Sequence, residues 1–142
     1  MTVTRTDIAL ASGITASAAT LGLVIGLGRS SADPWVALEA GGHLWMGSPV
    51  RALWPYVVVG ATRHLLLVTP LGALIAWRPE TRRHPGWTAL LVAALAVLVA
   101  PVLPDLLRPV ALELAPAERV VAWLVLAGGL TLGARLTPEQ TP

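Results

Sequence analysis

Cysteine is absent from the chain, and so are lysine and phenylalanine. Without cysteine there is no disulfide, no thiolate metal site and no cysteine nucleophile. Charge is scarce as well. Charged residues make up 13% of the sequence, where a soluble domain carries about 25% to keep its surface in water. No basic stripe interleaved with aromatics runs along the chain, which argues against a nucleic-acid partner. No phosphate-binding glycine loop, metal-ligand spacing or nucleophile elbow occurs, and Ser12 and Ser48 stand without a recognisable base, so no catalytic residue is assigned.

What fills the 142 residues is apolar. Hydrophobic residues make up 55% of the sequence, and the mean hydropathy is +0.70. Much of the surface must therefore face something other than water, and lipid is the simplest solvent for it. The fold class expected is an all-α polytopic membrane protein of one domain, with four transmembrane helices.

The spans are expected near residues 8–28, 55–77, 86–103 and 117–136. The first holds 21 residues without a charge, roughly 30 Å of helix and about the thickness of a hydrocarbon core. Thr6 and Asp7 are placed to cap its start. The rival reading is a secretory signal peptide, with Arg5 as n-region and Ser30, Ser31 and Ala32 as cleavage site, although its usual apolar run of 7–15 residues is shorter than this one. Trp35 to Trp45 reads as a short interfacial segment, because tryptophan prefers the headgroup zone. The second span is bounded by Trp54 and Tyr56 at one end and Trp77 at the other, and Pro70 inside it predicts a kink near Leu66. Between the third and fourth spans, residues 105–115 mix leucines with Asp105, Arg108 and Glu113, as an amphipathic turn or short re-entrant piece does. Residues 137–142 read as a flexible tail.

Arginine placement sets the orientation. With both termini inside, Arg5, Arg78, Arg82, Arg83 and Arg135 face the cytoplasm, and Arg29, Arg51, Arg108 and Arg119 face out. The all-arginine basic complement, together with abundant Ala, Gly, Pro, Val and Leu, fits a GC-rich bacterial genome and hence an inner-membrane location.

A few residues stand out inside the apolar runs. Arg63 falls within the second span, where a charge costs from about 3 to over 10 kcal/mol, so it must face a bundle interior, a partner or water. It is a candidate ligand-binding residue, for an anionic headgroup, a carboxylate or a quinone oxygen. His64 points about 100° away around the helix and is the companion candidate, as a proton relay or haem ligand. Two embedded histidines would make a haem site credible, but His43 and His84 fall in loops. Ala18, Gly22 and Gly26 repeat every four residues along the first span, and Gly129 and Gly133 do so in the fourth. Such small residues let helices approach closely.

From residue 63 to 136, about half of the chain, the sequence resembles the VanZ-like membrane proteins. The resemblance lies in Leu65-Leu66-Leu67-Val68 followed by Pro70-Leu71-Gly72, an arginine-rich turn, a third apolar run, and a closing helix with Gly129-Leu130-Thr131-Leu132-Gly133. It implies a small envelope protein associated with glycopeptide tolerance, with no settled catalytic mechanism to carry over. Where the family has a Glu and Gln after the third run, this chain reads Pro101-Val102-Leu103-Pro104-Asp105. Ala122 and Leu126 stand where it has acidic residues and an Asn.

The sequence names no cofactor. Few polar site residues beside many packing glycines point to a non-enzymatic accessory or structural subunit. Its partners would be the bilayer and either other membrane subunits or further copies of itself. The alternatives are a binder of a lipid or small anion through Arg63, and a haem- or quinone-linked electron-transfer subunit.

Overall fold

The computed structural model describes residues 3–30, 35–47, 53–77, 79–107 and 116–137. The proposed cleavage positions Ser31 and Ala32, the segment 108–115 and the tail 138–142 lie outside the described residues. Among the described residues the chain is helical without strands. Its helices are α1 (Arg5–Ser30), α2 (Val36–Met46), α3 (Leu53–Val68), α4 (Leu71–Ala76), α5 (Pro79–Arg83), α6 (Pro85–Val99) and α7 (Pro116–Leu136), with 3-10 turns at Ala100–Val102 and Asp105–Leu107. Four stretches are long and apolar enough to cross a membrane: Arg5–Leu27, Trp54–Ala76, Pro85–Val102 and Ala117–Leu136.

The second span is two helices in series, and Pro70 is the reason. It has no N–H to give to the carbonyl four residues back, so the ladder opens. The chain turns through Thr69 and Pro70, with tighter three-residue bonds from Gly72 N–H to the Thr69 carbonyl (3.1 Å) and from Ala73 N–H to the Pro70 carbonyl (3.0 Å).

Helix α1 sits between the second and fourth spans. It packs against α3 and α4 on one side and α7 on the other, while α6 packs on α7 and touches α4 to close the ring. Neighbouring spans are antiparallel, as the pairs Thr20–His64, Ser12–Leu130 and Leu90–Trp123 require. In lipid the hydrophobic effect does not draw helices together, so close packing and interhelical hydrogen bonds must. The interior is accordingly built of small side chains, with Ala16, Ala89, Ala93 and Ala127 beside Ile75, Leu126 and Leu130. At the crossing of α1 and α4 two glycines make the approach possible. A Cβ on Gly13 would land on the Thr69 main chain, and one on Gly72 on the main chain of Ala9 and Gly13.

Helix α2 fills the place of the expected interfacial segment. It stands antiparallel along the first turns of α3, with Leu38 over Gly60 and Gly42 under Tyr56. Its aromatic contacts match the tryptophan-rich composition. The Trp35 and Trp54 rings lie 5.4 Å apart, and His43 stacks on Tyr56 at 3.7 Å. Gly47, at φ 72°, ends the helix by returning its N–H to the His43 carbonyl.

Candidate functional site

Arg63 and His64 are consecutive on α3, ten and eleven residues into a 23-residue span, and both are 0% exposed. The helix turn separates them. Arg63 is directed at the segment after α6, where its Nη2 donates to the Asp105 main-chain carbonyl. A second bond ties the same turn down, because Trp45 Nε1 on α2 donates to the Leu106 carbonyl at 3.0 Å. The guanidinium thus joins α3 to the 3-10 turn that follows the third span, and α2 holds that turn from the other side.

His64 faces α1. Its Nε2 lies 2.8 Å from Thr20 Oγ1, and Thr20 Oγ1 lies 2.8 Å from the Ala16 carbonyl. The threonine has one proton to give. If that proton goes to the carbonyl, His64 must be the donor and carry its hydrogen on Nε2. The other ring nitrogen, Nδ1, is buried without a partner among the described residues. Below it the seam continues with Ser17 Oγ and Thr69 Oγ1 at 3.1 Å. On the α7 side of α1, Ser12 Oγ donates to the Leu130 carbonyl at 2.6 Å.

The three histidines do not converge. His43 pairs with Glu39 on α2 at 3.6 Å, His64 lies within the bundle, and His84 opens α6 at the opposite end. No group of three or more His, Cys, Asp or Glu among the described residues is placed to hold a metal ion. Four grooves lined by described residues, of about 680, 570, 330 and 230 Å³, include neither Arg63 nor His64.

The five small residues singled out in the sequence divide into two groups. On α7, Gly129 and Gly133 lie directly on α1: a Cβ on Gly129 would come 2.6 Å from the Ala16 Cα, and one on Gly133 would meet Ala11 and Ser12. On α1, Ala18, Gly22 and Gly26 face outward, and a Cβ on either glycine meets nothing within 4 Å. Gly13, Gly42, Gly60 and Gly72 make the other close approaches. Sequence reasoning passed over them, although Ala9, Gly13 and Ser17 repeat at the same four-residue interval as the outward stripe.

These features define an all-α protein with four membrane-length helices in an up-and-down ring, α1 packed between the second and fourth spans, and a polar seam closed inside it. Comparison with protein-family models, curated proteins and solved structures finds no match.

Proposed function

We propose that the chain is a non-enzymatic subunit of a bacterial inner membrane, packing against other membrane helices, either a partner's or those of a second copy. The observation that carries this reading is how the polar and small residues are distributed. Ser12, Ser17, Thr20, Arg63 and His64 are all turned into the bundle and hydrogen-bonded to its own elements. The outward face of α1 instead carries Ala18, Gly22 and Gly26 with open space above the glycines. A helix with such a stripe accepts a neighbour at close range.

Purified in a mild detergent, the protein is expected to migrate as an oligomer or with a co-purifying membrane protein. Gly22→Leu and Gly26→Leu should release that association without destabilising the fold, since a Cβ at either position meets nothing within 4 Å. A lone monomer of 14.8 kDa with no companion would remove the proposal.

Both termini are placed on the cytoplasmic side. Arg82, Arg83 and Arg135 share one groove, and Arg5 lines another at the same end, an accumulation that follows the positive-inside rule. The cysteine-free sequence makes this easy to test. In intact cells, Asp105→Cys should react with a membrane-impermeant maleimide, whereas Glu80→Cys and Thr137→Cys should react only after lysis. The reverse pattern inverts the topology.

A further inference from the structure

The basic end of the bundle opens into a groove that the reading above does not use. A groove of about 680 Å³ runs between α6 and α7 at their basic ends, within the range of ligand pockets. Arg83, His84 and Arg135 stand at its mouth. Leu90 and Leu124 line it further in, and Gly128 leaves one wall without a side chain. A second cavity of about 330 Å³ adjoins the first, shares Arg83 and Arg135 with it, and adds Arg82. No carboxylate among the described residues lines either one. Glu80, on the neighbouring α5, is exposed and lines neither.

The charged lining residues of the groove stand only at the mouth. From Arg135 to Leu124 is eleven residues of helix, about 16 Å, or close to half of a ~30 Å hydrocarbon core. It therefore combines clustered positive charge at headgroup depth with an apolar channel of one leaflet's length. The N-terminus of α6 adds to the charge, because its N-cap residue His84 makes no side-chain cap bond to the first-turn amides. We infer that this groove binds an anionic phospholipid, with the headgroup phosphate between Arg83 and Arg135 and one acyl chain lying along Leu90, Leu124 and Gly128.

The test uses the full chain in nanodiscs of phosphatidylcholine with a rising fraction of phosphatidylglycerol, and counts lipids retained after a detergent wash by native mass spectrometry. The expected result is a preference for phosphatidylglycerol of about tenfold or more. Arg83→Gln and Arg135→Gln should each reduce it about fivefold, as loss of one arginine at an anionic surface does. Gly128→Leu should abolish retention without lowering the thermal unfolding midpoint, since a Cβ there meets nothing within 4 Å. Arg5→Gln, at the same end but on another groove, should change it by less than about twofold. Three outcomes overturn the inference. One is equal retention of both lipids. Another is a loss in Arg5→Gln as large as in Arg83→Gln, which would mark a diffuse basic rim. The third is displacement of lipid by inorganic phosphate with Gly128→Leu still binding, which would mark a site for the free anion.

Discussion

Replacing Gly13 with leucine is expected to pull α1 and α4 apart and to cost about 3 kcal/mol or more, the upper end of the range for overpacked interiors. Two effects oppose each other at this position. In helix propensity, glycine is about 1 kcal/mol worse than alanine, so removing it from the middle of α1 should help. The contact decides otherwise. The first atom of any side chain at Gly13 would lie on the Thr69 main chain, and no rotamer change relieves a clash with backbone. Gly13→Ala should therefore already be destabilising, in spite of its better propensity. Gly22→Ala is the matched control on the same helix. With nothing within 4 Å of the new Cβ, only propensity acts there, and the expected change is zero to about 1 kcal/mol in the stabilising direction. Reversible unfolding of the reconstituted protein in mixed micelles of mild detergent and dodecyl sulfate measures both. Equal behaviour of Gly13→Leu and Gly22→Leu would contradict the α1–α4 crossing.

The second large effect is expected at Arg63. Its side chain donates to a main-chain carbonyl, and a hydrogen bond from a charged group contributes about 1.5–3 kcal/mol. Arg63→Ala removes that bond and leaves a cavity, for a combined loss of about 2–5 kcal/mol. Arg63→Lys keeps the charge but not the planar fork, and should fall between the two. Amide hydrogen exchange across residues 105–107 should accelerate in Arg63→Ala, because the turn then loses its tie to α3 while keeping the Trp45 bond to Leu106.

Arg63→Met separates this locking role from a ligand-binding one. A cation kept for a ligand is retained at a cost in stability, so removing it would stabilise the protein. A locking cation is missed. Greater stability of Arg63→Met than of the parent would return Arg63 to a binding role.

The interior of this protein was only half legible before its helices were placed. Arg63 announced itself, because a charge inside a long apolar run has few places to go. The atom that receives it did not, since Asp105 offers its carbonyl rather than its carboxylate. Ser12, Ser17 and Thr20 were less visible still. In a helix such hydroxyls can bond to their own backbone, so only a neighbour such as His64 or Leu130 reveals that they join helices. Pro70 was plain in its effect on the ladder, but not in its consequence. The turn it opens presents the Thr69 main chain to Gly13.

By itself the sequence determined the solvent and the count of spans. Apolar runs of bilayer length with charge confined to their ends have no other stable home, because a backbone in lipid must satisfy its own hydrogen bonds as helix. Which face of each helix meets which neighbour was decided only in three dimensions. Two stripes of small residues run along α1 one residue apart, Ala9–Gly13–Ser17 and Ala18–Gly22–Gly26, and composition does not rank them. The inner one is chosen because the break at Pro70 puts backbone where only a hydrogen fits, and α1 then turns the other stripe outward.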